Sequence, residues 1–113
     1  MLRLPPFALR LPATLEEAAA ILAGEGPAAR LVAGGTDLWP NMKRRHQKAD
    51  TVISLMKIPG LAGVADGNGS GELRIGGTTT LDAIEADPLV LDRYPAVARA
   101  VESISSPPLR NMG

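Results

Sequence analysis

Apolar positions along this chain change their period several times, and each change marks an element. Residues 7–11 alternate between apolar and polar and read as a short strand that Pro12 ends. Thr14-Leu15-Glu16-Glu17 is a capping box, in which Thr14 and Glu17 satisfy each other's free amides. Leu15, Ala18, Ala19 and Leu22 then fall at helical spacing, and Gly24 or Gly26 closes the helix. Residues 30–33 read as a buried strand that stops at two adjacent glycines, Gly34 and Gly35. Residues 38–45 return to a helical pattern, capped by Thr36 or Asp37. Pro40 sits in the first turn, where a missing amide proton costs little. Residues 51–55 form the next strand.

The order to this point is β-α-β-α-β, which predicts short parallel strands with right-handed crossovers. The rhythm then changes. Residues 61–65 and 72–75 flank DGNGSG and read as a hairpin. Thr80 caps a short helix through Ala86, and a second helix follows Pro95 with Val97, Val101 and Ile104 on one face. The tail, SSPPLRNMG, reads as two prolines that end this helix and an extended segment with nothing to dock, as in a chain cut short. The expectation is an α+β fold: a βαβαβ lobe over residues 1–56, then the start of a mainly antiparallel α+β lobe over residues 57–113.

Composition narrows the function classes. With 113 residues and 45% apolar side chains the chain can bury a core. Twelve basic residues balance twelve acidic ones, so no global field recruits nucleic acid or an anionic membrane. Three aromatic residues (Phe7, Trp39 and Tyr94) are sparse for a base-stacking surface. Without cysteine there is no disulfide, thiolate metal site or cysteine-ligated cluster within this stretch. The first twelve residues, broken by three prolines, make a poor signal peptide, and no window approaches a membrane span. The cytoplasm is the expected compartment.

The chemistry concentrates in LVAGGTDLWPNMKRR, residues 31–45. A strand, a glycine turn and a helix start aim several amide protons at one point, an arrangement that suits a phosphate or pyrophosphate. Glycine there permits positive φ and close approach of a ligand to the backbone. Thr36 adds a hydroxyl donor, and Asp37 either caps the helix or accepts from a ligand hydroxyl. A tight turn with an N-cap explains the same residues without a ligand. The stretch is neither a dinucleotide fingerprint, since the third glycine is missing, nor a Walker A loop, since no Gly-Lys-Ser/Thr closes it.

Five segments in order, LPATLEEA, LVAGGTDL, MK, IPGL and IGGTTTLDAIE, resemble the N-terminal part of the flavin-binding subunit, or medium chain, of the molybdenum hydroxylases. That family includes xanthine dehydrogenase, carbon monoxide dehydrogenase and 4-hydroxybenzoyl-CoA reductase, and TDLWPNMKRR is most similar to the last branch. The resemblance runs from Pro12 to Gly113. It implies a PCMH-type FAD-binding fold, with Leu31, Val32, Ala33, Gly34, Gly35, Thr36, Asp37 and Leu38 wrapped around the FAD pyrophosphate and its flanks. It also implies that Ile104 and Ser105 lie against the cofactor. In relatives RNMG continues into a second glycine segment, and this chain stops one residue short of it.

The resemblance further implies an electron-transfer subunit that works beside a molybdenum-cofactor large subunit and an iron–sulfur small subunit, with the fragment alone inactive. The rival reading is an α/β assembly module that docks partners and binds no flavin. Lys43, Arg44, Arg45, His46 and Lys48 crowd one helix end, either as a solvated C-terminal turn suited to the helix dipole or as a contact for a partner or a phosphate. His46, the only histidine, builds no metal site unaided. Trp39 is read as core or interface, or as a ring near the flavin. Thr78, Thr79 and Thr80 after Gly76 and Gly77 read as a strand end and cap, or as a second polar turn at the cofactor. Asp82, Glu85 and Asp87 read as an acidic solvent face with no basic partner. No Ser-His-Asp or Cys-His set is present, and no catalytic or metal-ligating residue is assigned.

Overall fold

The computed structural model describes residues 3–67, 71–104 and 107–113. The chain divides into two compact units, Met1–Pro59 and Gly60–Gly113.

The first unit carries β1 (Ala8–Arg10), α1 (Leu15–Glu25), a 3-10 turn (Gly26–Ala28), β2 (Ala29–Val32), α2 (Leu38–Lys43) and β3 (Thr51–Ser54). All three strands are parallel in the order β1-β3-β2, with Thr51 opposite both Ala8 and Ala29. The parallel βαβαβ arrangement expected from the pattern is therefore present. The central strand β3 is buried at all four positions, as a strand with neighbours on both edges requires. The β2 strand departs from its expected burial: Ala29 and Val32, on opposite faces, are buried, whereas Leu31 is 46% exposed. It is an edge strand, with β3 as its strand neighbour.

The core of this unit gathers Val32, Leu38, Met42, Ala49 and Val52, with Phe7 and Trp39 packed against it. α1 begins where the capping box places it. Thr14 Oγ1 accepts from the Glu17 amide at 3.1 Å, but Glu17 Oε2 accepts from the Ala13 amide at 3.0 Å rather than from Thr14. Gly26 closes the helix with φ +60°, its amide donating to Leu22. α2 ends at Lys43, short of the expected Arg45, because Arg45 turns left-handed with φ +63°. Its Nη1 donates to the carbonyls of Met42, Lys43 and Arg3 at 3.1, 3.3 and 2.9 Å, satisfying acceptors that a helix end leaves open.

The second unit holds an antiparallel pair, β4 (Val64–Gly67) and β5 (Glu72–Ile75), with Val64 opposite Ile75. A hairpin is present as expected, but its first strand is shifted from residues 61–65 to Val64–Gly67, so Asp66 and Gly67 pair in the ladder rather than turn; residues 68–70 lie outside the described residues. Four helices follow: α3 (Leu81–Ala86), α4 (Pro88–Arg93), α5 (Pro95–Glu102) and α6 (Pro107–Met112). Ile84, Val90, Ala98 and Val101 form the core, with Val64, Leu73 and Leu81 packed against it. Thr80 Oγ1 caps α3 through the Ala83 amide at 3.1 Å.

Three expectations need correction here. The tail is not extended: residues 107–112 form α6, and the Gly113 carbonyl accepts from the Leu81 amide at 2.6 Å. Prolines open this helix rather than end one, since the first turn has no use for their missing amide protons. The buried stripe of α5 is Ala98 and Val101, while Val97 and Ile104 are 38% and 40% exposed. Two of the acidic trio have partners, one of them basic. Glu85 faces Arg110 at 3.5 Å, and Asp87 caps α4 by accepting from the Leu89 amide at 2.8 Å.

Candidate functional site

β2 delivers the chain to the glycine turn. Its last residue, Val32, is tied to the sheet through the Leu55 amide, which donates to the Val32 carbonyl at 2.9 Å. α2 then takes the chain away, with Trp39 donating to Gly35 and Asn41 to Asp37, both at 3.2 Å. Between these anchors, the amides of Gly34, Gly35, Thr36 and Asp37 have no acceptor among the described residues. Gly34 and Gly35 are half-buried, whereas Thr36 and Asp37 are exposed.

The expected side-chain cap is missing. Asp37 is the N-cap residue, but its backbone is already helical (φ −108°, ψ −47°) and its side chain accepts no capping bond. An N-cap normally has extended backbone, which swings its side-chain oxygen under the first turn. With Asp37 helical, the turn's amides stay unpaired. Four consecutive donors without an acceptor at a strand-to-helix junction are suited to an anionic oxygen.

Of the two glycines, Gly35 takes the left-handed conformation, with φ +77°. The space that its absent side chain leaves is filled from within: a Cβ there would stand 2.1 Å from Trp39 Nε1 and 2.4 Å from Cδ1. The indole is stacked on Phe7, with ring centroids 5.5 Å apart and planes inclined by 23°. Trp39 thus belongs to the core and also backs the turn. Close approach at Gly35 serves Trp39, and the amide edge is what remains for a ligand. The pairing of Gly35 with Trp39 escaped the sequence reading, although their spacing of four across a helix start was its signal.

The structure brings Leu31, Val32, Ala33, Gly34, Gly35, Thr36, Asp37 and Leu38 together as one strand-turn-helix segment. Val32 and Leu38 point into the core, so only their backbone is available to a ligand, while the Leu31 side chain is exposed. Ile104 belongs to the second unit. It lies just past α5, its amide donating to Val101 at 3.0 Å and its carbonyl accepting from Arg110 at 3.0 Å. Ser105 lies outside the described residues.

The second glycine pair has structural work. A Cβ on Gly76 would stand 2.0 Å from the Leu61 carbonyl oxygen, so only glycine admits that backbone. Thr79 Oγ1 accepts from the Gly63 amide at 2.9 Å and donates to its carbonyl at 3.1 Å, and Thr80 is the α3 cap. At the end of α2, Lys43, Arg44, Arg45, His46 and Lys48 are all exposed, and the Arg45 guanidinium is engaged with backbone carbonyls. Among the described residues no cluster of His, Cys, Asp or Glu is suited to a metal ion, and no helix is long and apolar enough to cross a membrane.

Residues 5–113 match the family described as FAD binding domain in molybdopterin dehydrogenase. The carbon monoxide dehydrogenase medium chain of Hydrogenophaga pseudoflava is 34% identical over 109 residues, which cover 96% of this chain and 37% of that protein. The nicotinate dehydrogenase FAD-subunit of Eubacterium barkeri is 33% identical over 109 residues, covering 95% of this chain and 36% of the relative. Among solved structures, carbon monoxide dehydrogenase from Hydrogenophaga pseudoflava superposes with a TM-score of 0.91 at 33% identity, over 98% of this chain and 38% of that one. Quinoline 2-oxidoreductase from Pseudomonas putida 86 gives 0.89 at 28% identity over the same shares. The chain thus spans little more than a third of the length of these relatives.

Proposed function

The chain belongs to the family of FAD binding domains in molybdopterin dehydrogenases, and from that premise we propose that its glycine turn holds the pyrophosphate of FAD in an electron-transfer subunit. The observation that carries the reading is the run of unpaired amides from Gly34 to Asp37. Each amide is a preorganised donor on rigid backbone, and the partial positive charge of the helix start lies behind them. Thr36, exposed beside them, supplies a hydroxyl donor. Asp37 repels phosphate and is suited to accept from a sugar or ring hydroxyl. Leu31, Val32, Ala33 and Leu38 flank the turn, Val32 and Leu38 through backbone alone. Ile104 and Ser105 are the second unit's proposed contacts with the cofactor.

Bound FAD supplies the redox chemistry, accepting and passing on electrons one or two at a time. The chain's own residues bind and orient it, and none is assigned to proton transfer. Partners belong to the same proposal: a molybdenum-cofactor large subunit, where substrate reacts, and an iron–sulfur small subunit, in a cytoplasmic complex. The relatives' names, a medium chain and a FAD-subunit of dehydrogenases, support it.

Flavin content tests the reading. The purified protein should carry FAD, and Gly34→Val should lose most of it while far-UV circular dichroism is retained. Loss of one or two charge-assisted hydrogen bonds, at ~1.5–3 kcal/mol each, predicts affinity weakened by about one to four orders of magnitude. Full flavin content in the variant overturns the assignment of the turn. A protein that neither purifies with FAD nor binds it on addition favours the flavin-free assembly module.

A further inference from the structure

Positive charge in the first unit gathers just past α2. Four of the chain's twelve Lys and Arg residues, Lys43, Arg44, Arg45 and Lys48, fall within six consecutive positions, and no Asp or Glu stands between Asp37 and Asp50. The ion pairs of the described residues engage Arg10, Arg93 and Arg110. Lys43, Arg44 and Lys48 are exposed, and their side chains have no carboxylate partner among the described residues.

These cations stand on a fixed backbone. Met42 and Ala49, on either side, are both in the core, at 0% and 6% exposure. The amides of His46 and Gln47 both donate to the Asn41 carbonyl, at 2.8 and 3.2 Å. Among the described residues Arg45 alone combines a side chain with positive φ, a conformation that any Cβ makes unfavourable. Its guanidinium is folded back onto the carbonyls of Arg3, Met42 and Lys43. Arg45 thus closes the helix end and leaves Lys43, Arg44 and Lys48 in solvent.

Closing a helix does not require this arrangement. Glycine takes the left-handed position without strain, and the helix dipole is felt only within the last turn. Neither accounts for Lys48, which lies beyond the helix, nor for crowding like charges where no acid relieves them. A rigid group of unpaired cations on a chain of zero net charge is complementary to clustered carboxylates. The residue types also choose the kind of partner. KRRHQK holds no aliphatic side chain to enter a lipid layer, and no Phe, Tyr or Trp on which a base could stack. The nearby rings of Phe7 and Trp39 are stacked on each other.

We propose that residues 43–48 are a docking surface for the acidic face of another protein chain, whose Asp and Glu side chains lie against Lys43, Arg44 and Lys48. The inference goes beyond the flavin reading and does not depend on it.

The test uses the complex isolated from cells that make this chain. Carbodiimide joins a lysine amine directly to a carboxylate, and Lys43 and Lys48 are two of the chain's three lysines, with exposed Lys57 as the internal control. Mass spectrometry should find Lys43 and Lys48 linked to Asp or Glu of another protein chain, and Lys57 not. Association is then followed by sedimentation for Lys43→Glu/Arg44→Glu/Lys48→Glu and for Lys57→Glu/Arg74→Glu/Arg99→Glu, which changes the net charge equally at exposed sites elsewhere. The first variant should associate about tenfold more weakly than wild type, the loss expected for three exposed ion pairs, and the control about as tightly as wild type. The difference should vanish at about 1 M salt, where such pairs are screened.

A chain that sediments alone, or cross-links confined to this chain, overturns the inference. So do equal losses in the two variants, or a loss that persists at high salt. Release by nuclease or by detergent overturns it in favour of a nucleic acid or a membrane. Should the charge-reversed variant fail to fold, Lys43→Gln/Arg44→Gln/Lys48→Gln decides by the same criteria.

Discussion

Gly35→Ala separates what the glycine turn needs for folding from what it needs for a ligand. Two costs meet at this position. The first is conformational: φ of +77° places a Cβ in the left-handed region, at about 1–2 kcal/mol for an L-residue. The second is steric. The new methyl would stand 2.1 Å from Trp39 Nε1, and the indole cannot simply swing aside, since it stacks on Phe7 and packs on the core of Val32, Leu38 and Met42. Moving it forfeits the aromatic pair, about 0.5–1.5 kcal/mol. It also loses part of the burial of a large side chain, about another 1 kcal/mol. The expected destabilisation is therefore about 3–4 kcal/mol, a large part of a domain's stability. Urea unfolding followed by far-UV circular dichroism measures it, and the emission of Trp39, the sole tryptophan, should shift to the red in the folded variant. Trp39→Ala removes the obstacle. In the double variant only the conformational cost of Gly35→Ala should remain, so the two substitutions together should cost about 2 kcal/mol less than their sum. Strict additivity, or a Gly35→Ala protein with wild-type stability and emission, would refute the packing of the indole on this glycine.

Gly76→Ala should be worse tolerated than an ordinary glycine substitution. Its Cβ would meet the Leu61 carbonyl oxygen at 2.0 Å, both partners are backbone, and a loss of about 3 kcal/mol in denaturant unfolding is expected. Thr14→Ala and Thr80→Ala should each cost about 1 kcal/mol by the same measurement, because each removes the N-cap hydroxyl that accepts from a first-turn amide. Arg93 forks onto Asp66 at 3.1 and 3.3 Å, and this hydrogen bond, with the charge of Asp66, holds the guanidinium above its ordinary value. A raised cation stabilises fully below its unfolded value and loses that contribution only as pH climbs past the folded one. Between pH 6 and 9, therefore, stability should not move on account of Arg93, and a difference between wild type and Asp66→Asn that changed across this range would contradict it.

Much of the fold was legible because its signals are local. The capping box at Thr14 and the cap at Thr80 each depend on a few adjacent residues and stand where the pattern put them, while the DGNGSG hairpin is present with its first strand shifted to Val64–Gly67. The failures are also specific. Pro107 opens α6 although the pattern reads the tail's prolines as an end, since a proline without its surroundings signals an end as readily as a beginning, and the helix α4 that Pro88 opens escaped the sequence reading. Leu31 belongs to an apolar run but sits on an edge strand, a place in the sheet that the run cannot encode. Asp37 is a good capping residue by type, and its helical backbone disables it. At the candidate site the segment was legible, but its division of labour was not. Whether the space beside Gly35 belongs to a ligand or to Trp39 depends on an indole direction that follows only from its stack on Phe7.

The strand order of the first unit bears on how the protein is made. β1 and β2 leave the ribosome first, and neither is hydrogen-bonded to the other, since both pair with β3 between them. Until Thr51 to Ser54 have been synthesised, the two earlier strands have no sheet to join, and the growing chain has its helices α1 and α2 as ready local structure. β3 then closes both ladders together, so the parallel sheet forms late and all at once, after long loops have closed. A nascent chain stalled before Thr51 would display two unpaired strands to its surroundings, and release only a few codons later would conceal both.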